Sequence, residues 1–166
     1  MATRLKPRPS YDEDFYAWTR DQAKHLRAQA SLRKNEPIDW RLLAEEVEDL
    51  GRSELHTCQS LTDQIIAHLL KLHFSGATEP RVGWRTELAA FRASLRRRLT
   101  PSIRRKIEAQ LEEHFAEAKN LVLPGFETYE PDRLQLLPAA CPYTFAQILS
   151  PDDWLPEPDV TAGRVP

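Results

Sequence analysis

The thirteen prolines of this 166-residue chain are spread so unevenly that they decide where helices can form. A proline inside a helix removes a backbone hydrogen bond and costs about 3 kcal/mol or more. None falls between Ile38 and Glu79, between Arg81 and Thr100, or between Ser102 and Leu123, whereas eight crowd into residues 124–166. Long helices therefore belong in the three clear windows. The segment after position 123 is expected to run as an extended, proline-rich wrap.

Apolar spacing inside the windows agrees. Leu43, Val47 and Leu50 recur at helical intervals with Leu42 beside them, followed by Leu55, Cys58, Leu61, Ile65, His68/Leu69 and Leu72. The second window carries Trp84, Leu88, Phe91, Leu95 and Leu99, and the third carries Ile103, Ile107, Leu111, Phe115, Ala118 and Val122. These are helix periods, and no segment alternates long enough to be a strand. Phe15, Trp18, Leu26 and Ala30 suggest another amphipathic helix. Trp18, Trp40 and Trp84 are expected to pack in the core.

Local signals mark the ends. Asp39 can cap the second helix, and Thr100-Pro101 places a cap before a proline at the first helical position. Thr144 and Gln147 have capping-box spacing ahead of a short helix ending near Leu149. Gly51 is expected to end or kink a helix, with Ser53 able to restart it. The expected fold is all-α, a helical bundle of about five long helices with a proline-rich C-terminal wrap and one short helix. Its expected divisions are a flexible N-terminus (1–10), the bundle (11–123), a wrap with the short helix packed on the bundle (124–158) and a flexible tail (159–166). Trp154, set among prolines and acids, must dock either on its own bundle or in a neighbouring chain.

Composition excludes several classes of function. Five glycines, spaced singly, cannot form a phosphate-cradling loop. Two cysteines make neither a disulfide scaffold nor a four-cysteine zinc site. No run reaches the roughly 18 apolar residues of a membrane span, and no signal-peptide pattern opens the chain. A cytoplasmic protein without a cofactor and without a membrane partner is expected.

The net charge of −2 conceals segregated blocks. Residues 36–54 carry −5, residues 81–106 carry +8 and residues 107–166 carry −8. Within the basic block Arg96, Arg97, Arg104 and Arg105 are candidate partner-binding residues, accompanied by Arg92, Arg98 and Lys106. Arginine suits phosphate recognition, yet the block has few stacking aromatics, since Trp84 and Phe91 occupy the apolar face, and shows no nucleic-acid-binding motif. A solvated face paired with the chain's own acids is the first reading, a protein partner or anionic ligand the second, and nucleic acid the weakest.

The acidic cluster Glu45, Glu46, Glu48, Asp49 and Glu54 is the densest candidate for metal or acid–base chemistry. No histidine has an acidic residue three positions before it, so the paired Glu-x-x-His pattern of helical di-metal sites is absent. A looser metal site would draw on Glu45, Glu48, His56, Asp63 and His68. A histidine on an apolar face is more commonly a hydrogen-bonded core residue. Cys58 lies on an apolar seam and Cys141 in a loop without a base, so neither reads as a nucleophile. No catalytic constellation emerges.

Four phrases, taken in order, resemble a bacterial family known as domain-of-unknown-function family number 29, found in cyanobacteria and proteobacteria. They are YDEDFYAW from Tyr11, DWRLLAEEVEDLGRSE from Asp39, HLLKLHF from His68 with Trp84, and CPYTFAQIL from Cys141 with Trp154-Leu155-Pro156. The resemblance spans roughly residues 11–156 and implies an all-helical fold. It brings no catalytic or binding residues. The basic start and the SLRKNEP stretch before Asp39 depart from the family pattern. The leading functional expectation is a protein-interaction or self-association module. The alternatives are an anion or nucleic-acid binder through Arg92–Lys106 and a metal-dependent enzyme.

Overall fold

All three proline-free windows are helical in the computed structural model, which describes residues 8–32, 37–150, 152 and 154–159. Residues 1–7, 33–36 and 160–166 lie outside the described residues. Most of the expected flexible ends and part of the SLRKNEP stretch fall there. The helices are α1 (Phe15–Leu32), α2 (Trp40–Phe74), α3 (Arg81–Arg98), α4 (Pro101–Ala109), α5 (Leu111–Tyr129) and α6 (Phe145–Leu149), with a 3-10 helix over Pro131–Leu136. Among the described residues there is no strand. Among the described residues no helix is long and apolar enough to cross a membrane.

Three boundaries differ from the sequence reading, each for a local reason. Gly51 does not end a helix; α2 runs through it for 35 residues. A Cβ there would lie 2.0 Å from Thr19 Oγ1, so the missing side chain serves the close approach of α1. The third window breaks at Gln110 (φ −112°, ψ 22°), whose N–H is shared between the carbonyls of Lys106 and Ile107 at 3.1 Å each. No glycine or proline announces that break. Pro124 stands inside α5. The turn it interrupts buries Phe126, and burying such a side chain contributes about 1.5–3 kcal/mol, comparable with the proline's cost.

The chain divides into two compact units. The first holds Met1–Thr57 and Leu99–Arg105, and the second holds Cys58–Arg98 and Lys106–Pro166.

The first unit is built on small residues and one shared cap. Thr19, Ala23, Ala44 and Gly51 are buried, with Tyr16, Leu55 and Ile103 as larger members. Asp14 Oδ1 accepts from the Ala17 N–H (3.1 Å) and Oδ2 from the Ser102 N–H (2.9 Å), so one carboxylate serves the N-termini of both α1 and α4. Burial raises its pKa, but hydrogen bonds from Ser102, Ala17 and Thr100 outweigh burial and hold the carboxyl below its ordinary value. At α2, Asp39 Oδ1 accepts from the N–H groups of Arg41 (3.1 Å) and Leu42 (3.0 Å), as the sequence indicates.

The second unit has a large aliphatic interior of Ile65, Ile66, Leu69, Leu70, Leu72, Leu88, Leu95, Ile107 and Ile148. Its C-terminal segment is fastened by cations that donate to backbone carbonyls. Arg92, only 1% exposed, donates to the carbonyls of Gln147 (2.7 Å), Ile148 (2.9 Å) and Trp154 (2.8 Å). Arg96 adds bonds to Leu149 (3.1 Å) and Ser150 (3.0 Å). Together they satisfy the free carbonyls at the end of α6. The Thr144–Gln147 capping box closes the other end of that helix. Arg81 and Arg133 do the same for the end of α2, through the carbonyls of Leu72 (2.6 Å) and Phe74 (2.9 Å). Trp154 docks on its own chain, its backbone N–H donating to Ser150 Oγ (3.0 Å) and its ring edge-to-face with Tyr143.

Candidate interaction surface

The first half of α2 keeps its helical apolar period but not the burial expected of it. At 100° per residue, Leu43, Val47 and Leu50 fall within an arc of about 60°, beside the face that buries Ala44, Gly51 and Leu55. Yet Leu42, Leu43 and Leu50 are 52%, 41% and 59% exposed. Sequence period reports which residues share a face, and here that face is only partly covered: Leu43 and Leu50 are exposed, Val47 is half-buried, and Leu42 stands farther round the helix beyond Glu46. Glu46, exposed on the solvent side of this stripe, has no ion-pair partner among the described residues. Asp49, also on that side, is paired with Arg52.

The candidate metal ligands are drawn apart by other partners. Glu45 and His56 are exposed. Glu48 pairs with Arg27, whose hydrogen bond, opposed by slight burial and reinforced by the charges of Arg27, Arg52 and Arg20, holds the carboxyl below its ordinary value. Asp63 Oδ1 meets His114 Nδ1 at 2.7 Å. His68 lies between the Gln64 carbonyl (2.8 Å) and Glu87 Oε2 (2.7 Å). Among the described residues no three His, Cys, Asp or Glu side chains gather to hold a metal. His68 and His114 are hydrogen-bonded core histidines, and Cys58 is a buried thiol. The buried Nε2 of His114 has no hydrogen-bond partner among the described residues.

The basic block divides by role. Arg92 and Arg96 hold the C-terminal segment, whereas Arg97, Arg98, Arg104 and Arg105 are exposed on their helices. Arg105 donates to Ser102 Oγ (3.3 Å). It also lines an open groove of about 550 Å³ with Arg8, Ser10, Glu13, Asp14 and Ser102. Two carboxylates facing two arginines there leave no net attraction for an anion. Trp18, Trp40 and Trp84 are half-buried, short of the core positions expected of them. Trp18 stacks on Phe15 and meets Tyr11 edge-to-face, forming an aromatic cluster at the start of α1.

Sequence reasoning missed Asp14 and the burial of Arg92. Asp14 stands immediately before the apolar period that begins at Phe15, which is an N-cap position. Arg92 shares the face of Leu88 and Leu95 at helical spacing, a signal hidden by counting it with the basic block.

The sequence model of a family described as a domain of unknown function, DUF29, matches residues 10–155. A crystal structure of an α-helical protein of unknown function from Rhodospirillum rubrum is similar. It has 27% sequence identity and a TM-score of 0.72, covering 89% of this chain and 93% of that one. No curated protein matches.

Proposed function

This chain belongs to the DUF29 family, and from that premise we propose that it is a cytoplasmic interaction module whose α2 leucine stripe receives a basic amphipathic helix of another protein. The observation that carries the reading is the exposure of Leu43 and Leu50 on one face of the first half of α2, with Leu42 exposed farther round the same helix. Leucines exposed together along one helix mark docking surfaces, and an amphipathic helix is the natural occupant of such a stripe. The −5 charge of residues 36–54 favours a partner flanked by Lys and Arg. A second copy laid on the same stripe would bring Glu46 against its own kind, which disfavours self-pairing. Cys58 and Cys141, neither of them in a disulfide, fit a reducing compartment.

The test uses a fluorescent 18-residue helical peptide with leucines on one face and lysines beside them. Its anisotropy is followed as the protein is added at low and at high salt. Binding that weakens more than tenfold in Leu43→Asp/Leu50→Asp, and weakens in Glu46→Lys, is expected. Because all three side chains are exposed, the helical circular dichroism should be retained. Binding indifferent to the leucines overturns the reading. So does a wild-type dimer, seen by sedimentation, that the leucine changes abolish, since the occupant would then be a second copy.

A further inference from the structure

Within the second unit, the end of α2, the start of α3 and the end of α5 line a half-open cavity of about 280 Å³. Its walls are apolar, built mainly from Pro80, Trp84, Val122 and Phe126, with Lys71 and Glu130 as its charged members. The two charges are differently placed. Glu130 is committed, its carboxylate accepting from the Ser75 hydroxyl and from the Gly76 N–H (2.6 Å), with Arg133 Nε 3.6 Å away. Lys71 has no carboxylate within 4 Å among the described residues. Its Nζ lies 3.3 Å from His68 Nε2 and 5.4 Å from the centroid of the Trp84 ring. Burial pushes its pKa down, and the more distant charge of Glu87 opposes that shift. A half-buried ammonium with no carboxylate in direct contact among the described residues, beside an apolar hollow, is the arrangement that receives an acid with an apolar body.

We propose that this cavity binds a small apolar carboxylate, its body against Trp84, Val122 and Phe126 and its carboxylate on the Lys71 ammonium. At roughly 30 Å³ per water-sized group, the volume holds about ten heavy atoms, most of a medium-chain fatty acid or an aryl-alkanoate, with the rest reaching out through the open side. The Lys71 cation sets the preference for an anionic head, and the Trp84 face limits the width of the body. The site is independent of the leucine stripe and does not rest on the function proposed above.

Decanoate and decanol are the probes, titrated into the full chain below micelle-forming concentrations. Calorimetry and amide chemical shifts provide the readouts. Decanoate should bind at least tenfold more tightly than decanol, shifting amides of residues 71–84 and 122–130. Lys71→Met keeps the apolar stem and removes the charge, so it should abolish the discrimination while leaving decanol binding within about twofold. Ala77→Phe, which narrows the cavity, should weaken both probes. Equal affinity of wild type for acid and alcohol overturns the proposal, as do amide shifts elsewhere, unchanged discrimination in Lys71→Met, or no binding of decanoate.

Discussion

The two units use the same helical period to opposite ends. In the second unit the period becomes a filled interior: from Ile65 to Leu72 nearly every aliphatic side chain of α2 is buried, and α3 adds Leu88 and Leu95. In the first unit many buried positions hold small residues, Thr19, Ala23, Ala44 and Gly51 beside Tyr16, Leu55 and Ile103, while Leu42, Leu43 and Leu50 stay outside. Small residues let helices approach closely but remove little apolar area from water, so the first unit leans on caps and backbone fit. One helix, α2, thus carries a structural half and a half with leucines to spare.

Truncation should expose this difference most strongly. Leu69→Ala or Leu95→Ala, each removing a fully buried side chain, should destabilise by about 2–5 kcal/mol in denaturant titrations. The chemically identical Leu50→Ala should lie within about 0.5 kcal/mol of wild type. Equal losses would erase the distinction.

Next in size is the close approach in the first unit. Gly51→Ala adds a methyl group 2.0 Å from Thr19 Oγ1, and overpacking of this kind costs about 1–3 kcal/mol, exceeding the roughly 1 kcal/mol gained in helix propensity. Pairing it with Thr19→Ala should recover part of the loss, a coupling that a double-mutant cycle measures directly. A stabilised Gly51→Ala would show that the glycine is not needed for packing.

How much could be read from the chain alone follows the same division. Proline-free windows and local capping chemistry carried the all-helical architecture, including the Asp39 cap and the Thr144–Gln147 box, because these depend on neighbours within a turn. What escaped depends on distant partners. Gly51 reads as punctuation until Thr19 is seen against it. Arg92 reads as surface charge until the carbonyls of Gln147, Ile148 and Trp154 are seen around it. The leucine period of residues 42–50 is legible, but not its exposure, since that depends on what the other elements leave uncovered. The surroundings of the candidate metal ligands were hidden for the same reason, each lying against a different partner or solvent.

A smaller effect tests the shared cap. The Asp14 carboxyl titrates below its unfolded value, so its contribution is present above about pH 4 and is lost as pH falls through the lower folded value. Asp14→Ala should cost about 1–2 kcal/mol at neutral pH and flatten the acid limb of a stability-versus-pH curve. An unchanged acid limb would remove Asp14 from the account. The smallest effect belongs to the Arg27–Glu48 pair, which is largely exposed. Glu48→Gln should change stability by no more than about 1 kcal/mol, less at high salt.

The contrast within α2 is tested most directly by amide hydrogen exchange along that one helix. Amides from Ile65 to Leu72 should exchange only through the largest opening reactions, and those from Leu43 to Leu50 markedly faster. The basic amphipathic peptide should then slow exchange in the leucine half alone. Uniform protection along α2, or slower exchange in its first half without a partner, would contradict the account.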